Sequence, residues 1–205
     1  MGLEESISRQ FGNPRGALGR VAGFIMSHRA SNIERIAWAV SLLDLRPQDC
    51  VLEIGFGPGV GIRMLSDRAT EGAVYGVDHS PLMARAAFRR NRGAVEAGLV
   101  DLRVASAARL PTFDRSLDKV LDVNTFQFWD DPIAVLVELK RLMKPGGVVA
   151  IAHQPRSADA VRQDAIDAGA RIAESLATAG FCEVKIEMRE MKPVPTVCVL
   201  GRNPA

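Results

Sequence analysis

A chain of 205 residues can bury a core of its own, and its 47% hydrophobic and 24% charged content is that of an ordinary globular protein. Basic and acidic residues nearly balance, 26 against 24, for a formal net charge of +2, which argues against a nucleic-acid partner. No apolar run approaches the ~18–20 residues of a membrane span, and Glu4, Glu5 and Arg9 stand where a secretory leader would be apolar, so a cytoplasmic location is expected.

Residues 1 to about 31 are irregular and glycine-punctuated, with one short helical pattern in Leu18, Val21, Ala22, Ile25 and Met26. Ser31 or Asn32 then caps a clearer helix whose apolar period runs from Ile33 to Leu45. After the turn at Arg46-Pro47-Gln48-Asp49, Val51–Ile54 reads as a short buried strand. Gly55, Gly57, Gly59 and Gly61 follow at every second position and open a helix with Ile62, Leu65 and Ala69 on its inner face. Glycines at a strand-to-helix turn let backbone N–H groups approach a ligand closely, because no Cβ intervenes.

The second strand is Ala73–Asp78, and Ser80-Pro81 starts the next helix with a cap and a proline at its first position. Further strands are expected at Leu102–Ala105 and Leu117–Val123. Asp131-Pro132 opens a helix that the Lys144-Pro145-Gly146-Gly147 turn stops, and Val148–Ala152 is an apolar run suited to a strand buried on both faces. A long helix from about Ala158 to Ala179 ends at Gly180, and two strands, Val184–Arg189 and Thr196–Leu200, close the chain. The alternation predicts an α/β fold, a Rossmann-like doubly wound sheet, mostly parallel with one antiparallel strand near the C-terminus. Cys50, Cys182 and Cys198 have the spacing of neither a zinc site nor a disulfide framework. They are expected to be buried free thiols, and no metal site is expected.

The glycine spacing rules out two nucleotide ligands. A dinucleotide fingerprint needs Gly-x-Gly-x-x-Gly, but the sixth position is Val60 counted from Gly55 and Ile62 counted from Gly57. No Gly-Lys-Ser/Thr follows, so a P-loop fails as well. What stands here is Glu53-x-Gly55-x-Gly57-x-Gly59, with Asp78 closing the next strand. Together with the Pro145-Gly146-Gly147 turn and the C-terminal strand pair, this resembles the class I S-adenosylmethionine-dependent methyltransferases over roughly residues 33 to 201. The small bacterial enzymes of the ubiquinone/menaquinone-biosynthesis type look most similar.

The resemblance implies an enzyme with S-adenosylmethionine as cofactor, residues 33–205 forming its binding domain. Gly55, Gly57 and Gly59 would approach the amino-acid end of the cofactor. Asp78 would accept from the ribose hydroxyls, and Glu53 would order the turn or reach the amino group through water. Met83 would pack on the adenine, with His79 and Ser80 at its rim. The third strand departs from the family pattern: Ser106 and Ala107 stand where a carboxylate usually accepts from the adenine amino group, and a hydroxyl accepts more weakly. Asn124 completes the expected cofactor contacts.

The acceptor is expected at the carboxyl ends of the fourth and fifth strands. His153 is the candidate base, needed only if the nucleophile arrives protonated. Gln127, Trp129 and Gln154 are candidate substrate contacts. Phe126, Phe128 and Trp129 either line an acceptor pocket or pack the following helix. Arg15, Arg20 and His28 are candidate contacts to the cofactor carboxylate or to an anionic acceptor. No lid insertion follows the fifth strand, so residues 1–32 or a second subunit of a homodimer must cover the site. The expected reaction moves a methyl group to oxygen, nitrogen or carbon of a small molecule, apolar or aromatic in character. A catalytically silent cofactor-binding module and a nicotinamide oxidoreductase are the alternative readings.

Overall fold

The computed structural model describes residues 30–204. The helix expected between Leu18 and Met26, the contacts Arg15, Arg20 and His28, and the covering role of the N-terminal segment lie outside those residues. Helix α1 (Ala30–Leu42) buries one face made of Arg35, Ile36, Ala39 and Val40, the i, i+1, i+4, i+5 stripe of an amphipathic helix. It is already helical at Ala30, so the domain boundary expected after residue 32 cuts its first turn. Its apolar period continues to Leu43 and Leu45, but the helix stops at Leu42 and Asp44 turns the chain with φ 47°, a conformation that short polar side chains tolerate.

Strand β1 (Cys50–Ile54) is buried along its whole length. It is followed by α2 (Val60–Ser66), β2 (Ala73–Asp78), α3 (Pro81–Arg90), α4 (Arg92–Glu96), β3 (Val100–Val104), β4 (Leu117–Val123), α5 (Pro132–Leu142), β5 (Met143–His153), α6 (Arg162–Thr178), β6 (Cys182–Arg189) and β7 (Thr196–Arg202). The strands form one seven-stranded sheet in the order β3-β2-β1-β4-β5-β7-β6. Strands β1 to β5 pair in parallel, and β7 runs antiparallel to both β5 and β6, as the missing helix between the last two strands predicted.

Two apolar layers hold helices to the sheet. One joins α1 and α2 to Val51, Val74, Leu121 and Ala150, and the other joins α5 and α6 to Leu52, Ile54, Val120 and Ile151. Each fully buried side chain of this size contributes ~1.5–3 kcal/mol. Because strand order reverses between β1 and β4, the carboxyl ends of these neighbours open a crevice in the middle of the sheet edge.

Several boundaries differ from those expected. Strand β3 starts two residues early, and β5 already pairs at Met143 with Leu117, so the Pro145-Gly146-Gly147 turn lies inside the strand. The tail after β7 stabilises that turn: Gly146 donates to Asn203, and Asn203 donates back to Gly147. Helix α6 begins at Arg162, where the Asp164 carboxylate accepts from the Val161 N–H, and Phe181 N donates to Leu176 O beyond Gly180 at its end. Cys50 and Cys198 are buried free thiols, but Cys182 is exposed, because it starts an edge strand. Among the described residues, no helix is long and apolar enough to cross a membrane, and no group of three His, Cys, Asp or Glu residues could hold a metal.

Candidate active site

The turn after β1 is held from two sides. Gly55 donates to Val77 O at 2.7 Å, tying it to β2, and Asn91 at the end of α3 donates to Gly59 O at 3.0 Å. Gly55, Gly57 and Gly59 all have positive φ, at 69°, 51° and 80°. They differ in what surrounds them. A Cβ on Gly55 would lie 2.1 Å from Cγ2 of Thr125, whereas one on Gly57 would meet nothing within 4 Å among the described residues. Gly57 therefore needs its backbone freedom alone, and its open side is where a ligand can reach the main chain. Gly61 serves a different purpose: a Cβ there would fall 2.1 Å from Oε1 of Glu53, so its absence lets that carboxyl slide under the start of α2.

Three carboxyl groups surround this turn. Asp78, 6% exposed at the end of β2, accepts from Gly57 N and from Ser80 N, each at 2.8 Å. Each oxygen keeps acceptor capacity beyond its one backbone donor. Burial raises its pKa, and the two N–H groups and His79 work against the rise. Glu53 is 3% exposed, and its Oε2 has no hydrogen-bond partner among the described residues. Burial, then the nearby Asp78 and Asp122, push its pKa well up, against the pull of the Ile62 N–H.

Asp122 is the third, and sequence reasoning missed it. Fully buried near the end of β4, it accepts from Thr125 N at 3.3 Å, from Phe126 N at 3.2 Å and from the Thr125 hydroxyl. Burial raises its pKa to about 7, the three donors opposing. The Asp-x-x-Thr pattern at a strand end was the available signal, since such side chains organise the turn that follows. Thr125 in turn reaches Ile54 O at 3.4 Å and rests on Gly55. Asp122 thus fixes the loop after β4 against the glycine turn after β1.

On the β2–β3 side, His79 is exposed and its Nδ1 lies 3.9 Å from Asp78. Ser80 caps α3, its hydroxyl accepting from Met83 N at 3.4 Å, and Met83 itself is buried. Ser106 is exposed and caps the single turn Ala107–Arg109, accepting from Ala108 N at 3.2 Å, which leaves its hydroxyl a second acceptor site. Ala107 is half-buried beside it.

On the β4–β5 side, Asn124 adopts φ 60°, its Oδ1 accepts from Gln154 N at 2.8 Å, and its Nδ2 is buried without a partner among the described residues. Gln127 donates to Asn124 O at 2.8 Å, and its Oε1 meets His153 Nδ1 at 3.2 Å. Burial, with the positive charges of Arg171, Arg35 and Arg156, lowers the His153 pKa to about 4. The Gln154 side chain is buried: it donates to Val194 O at 2.6 Å and accepts from Arg35, so it braces α1 against the β6–β7 loop. Arg35, 1% exposed, was also missed; its place on the apolar stripe of α1 was the signal. Phe126 and Trp129 meet with ring centroids 5.0 Å apart and planes tilted by 51°, and pack on the α5 side of the core, while Phe128 stays 55% exposed.

Residues 52–151 match the family model described as a methyltransferase domain. The chain is 32% identical over 185 residues to the protein named "Uncharacterized methyltransferase YdaC" of Bacillus subtilis, covering 90% of this chain and 99% of that one. It is 34% identical over 110 residues to a malonyl-[acyl-carrier protein] O-methyltransferase of Marinomonas sp., where the match covers 54% of this chain and 40% of the relative. Among solved structures, a SAM-dependent methyltransferase from Aquifex aeolicus superposes with a TM-score of 0.66 at 22% identity, over 84% of this chain and 93% of that one.

Proposed function

Because the chain belongs to the class I S-adenosylmethionine-dependent methyltransferases, and so is an enzyme that takes its methyl group from S-adenosylmethionine, we propose that it methylates a small organic molecule bound at the carboxyl ends of β4 and β5. The observation that carries this reading is the contact of Thr125 with Gly55. It sets the loop that would receive the acceptor directly against the turn that would hold the donor. The family assignment removes the nicotinamide alternative.

The residues present fit the cofactor. The open side of Gly57 leaves room for close backbone approach, Asp78 keeps acceptor sites for two ribose hydroxyls, and the Glu53 carboxyl, one of whose oxygens has no partner among the described residues, lies against Gly61 at the end of the same turn. Ser106 keeps one acceptor site for the adenine amino group. When bound, S-adenosylmethionine supplies a sulfonium methyl already activated for displacement. The protein's share is then to hold the nucleophile in line at near contact and to exclude water. His153 is neutral throughout the physiological range, which suits a positioning contact, through Gln127, better than proton abstraction. Of the three aromatic residues expected either to line a pocket or to pack the following helix, Phe128 is the one left exposed to meet an apolar part of the acceptor.

The test is transfer of tritiated methyl from S-adenosylmethionine to a panel of phenols, amines, quinones and carboxylic acids, with S-adenosylhomocysteine binding measured in parallel. Turnover of at least one member is expected. Tight cofactor binding with no turnover across the panel would instead support the silent-module alternative.

A further inference from the structure

We propose that Arg90 and Asn91, at the end of α3, are positioning residues for the methyl donor. From behind the glycine turn they pin the carbonyls of Pro58 and Gly59, and so hold the open face of Gly57 in the shape that receives S-adenosylmethionine. This rests on the cofactor contacts proposed above for Gly57 and Asp78, and adds the groups that preorganise them.

The turn needs such a support. Gly57 and Gly59 both have positive φ and flank Pro58, and glycine loses more conformational freedom on ordering than any other residue. On the ligand side no described residue lies within 4 Å of a Cβ placed on Gly57, so packing there cannot hold the chain still. Rigidity has to come from the other side. Arg90 Nε donates to Pro58 O at 3.0 Å, and Asn91 Nδ2 donates to Gly59 O at 3.0 Å. Asn91 is 1% exposed and closes tightly on the turn: a Cβ on Gly59 would lie 2.6 Å from its Nδ2 and 2.8 Å from Cα of Ala87. A turn ordered in advance leaves less ordering to be done when the ligand binds.

The state of the Asn91 amide shows what it is for. Nδ2 donates to two carbonyls, Gly59 O and Ala87 O, the latter at 2.9 Å, which sets the orientation of the carboxamide. Oδ1 is left buried with no partner among the described residues, and an unpaired buried acceptor is destabilising. Neither carbonyl depends on the amide for a donor, because Arg63 N donates to Gly59 O at 3.2 Å and Asn91 N donates to Ala87 O at 2.9 Å. An apolar side chain of the same shape would therefore serve the helices at least as well. It could not hold Gly59 O at hydrogen-bond distance. The amide serves the geometry of the turn.

The experiment uses the whole chain and three variants. Asn91→Leu keeps the branched shape and removes both the donor and the unpaired oxygen. Arg90→Met, at an exposed position, keeps an apolar stem and removes the donor. Leu176→Ala, in the layer that holds α6, is the stability control. Each is followed by urea unfolding, by calorimetry with S-adenosylhomocysteine, and by amide hydrogen exchange without it. Asn91→Leu is expected to keep the wild-type urea midpoint and to bind S-adenosylhomocysteine ~3- to 10-fold more weakly, and Arg90→Met ~2- to 3-fold more weakly. Gly57 N donates to Asp78 and Gly59 N to Phe56 O, so both amides are protected in the wild type. In both variants they should exchange ~3-fold or more faster, with Leu52 and Ile54 of β1 unchanged. Leu176→Ala should lower the urea midpoint most and leave the affinity within about twofold.

The proposal is overturned if Asn91→Leu and Arg90→Met bind as the wild type does. It is equally overturned if Leu176→Ala weakens binding as much as Asn91→Leu, since the loss would then follow stability alone. Faster exchange at Gly57 and Gly59 with undiminished affinity overturns it too, and counts against the place assigned to the cofactor. Should Asn91→Leu fail to fold, Arg90→Met carries the same readouts. A wild-type chain that binds no S-adenosylhomocysteine would remove the methyltransferase site itself and the proposal with it, whereas the other outcomes leave that site standing.

Discussion

The β1–β2 end and the β4–β5 end of the sheet are built on opposite principles, although they touch at Thr125 and Gly55. The first is mostly backbone: glycines at positive φ, main-chain N–H groups, and two buried carboxyls, Glu53 and Asp78, whose pKa values burial raises. The second is mostly side chain: amides, an imidazole whose pKa is lowered, and guanidinium groups drawn from α1 and the segment after β5. A backbone cradle depends on a few glycines and the groups that pin them, and changes little unless these change. A site made of side chains from separate elements can be altered one residue at a time. That division suits an enzyme with one constant donor and a replaceable acceptor.

The contrast between the two ends can be broken experimentally. The largest effect should come from Gly55→Ala, which adds both left-handed strain and a clash with Thr125 at the seam. It should destabilise the protein by ~2–4 kcal/mol in urea unfolding followed by circular dichroism. Gly57→Ala is its control, because no described residue lies within 4 Å of the added methyl. It should cost only ~1 kcal/mol of stability and yet weaken S-adenosylhomocysteine sharply in calorimetry. Equal stability losses in the two variants would contradict the open face assigned to Gly57.

Asp122→Asn tests the carboxyl beneath the seam. Its pKa of about 7 in the fold lies above the ~3.9 of an unfolded chain. The folded protein therefore holds the extra proton between these values, and the Asp122 contribution to stability declines as pH rises from about 4 to about 7. Raised values at Glu53 act in the same direction. His153 acts oppositely: with a folded pKa of about 4 below the unfolded ~6.5, its contribution grows with pH between these limits. Asparagine can keep accepting from Thr125 N and Phe126 N without a charge to bury. Its unfolding midpoint in urea should therefore fall less than the wild type's between pH 5 and 8, by the equivalent of ~2–4 kcal/mol. Parallel pH profiles would show that Asp122 is not the group that titrates.

Asp78→Asn should weaken S-adenosylhomocysteine ~10- to 100-fold with little loss of stability, since hydrogen bonds to a charged acceptor contribute ~1.5–3 kcal/mol. The smallest effect is expected from His153→Asn, which should lower turnover on an identified acceptor less than ~10-fold, because general base catalysis is normally worth ~100-fold or more. A larger drop, with a rate that follows titration of a single group, would restore the imidazole as a base.

What could be read in advance was uneven across the two ends for the same reason. Gly55, Gly57, Gly59 and Asp78 announce themselves, because a turn that needs positive φ and a strand that ends on a carboxylate are local demands. Asp122 and Asp118 are both carboxylates of the same strand, and Asp118 is tied to Lys144 near the surface. Only the neighbours of a central strand make one of them fully buried and leave the other accessible. Gln154 was expected to meet a substrate, and the fold turns its side chain to Arg35 and Val194.

The sequence by itself determined the alternation of strands and helices and the antiparallel closing strand, because glycine spacing, capping and apolar period act over a few residues, and its resemblance to a family pointed to the methyl donor. The tertiary structure alone decided how Arg35, Asn124, Gln154 and Arg156 come together. Arg35 and Gln154 are 119 positions apart and become hydrogen-bonded neighbours only because α1 packs on the layer that contains β4 and β5. Contacts of that range depend on strand order, which no local pattern encodes.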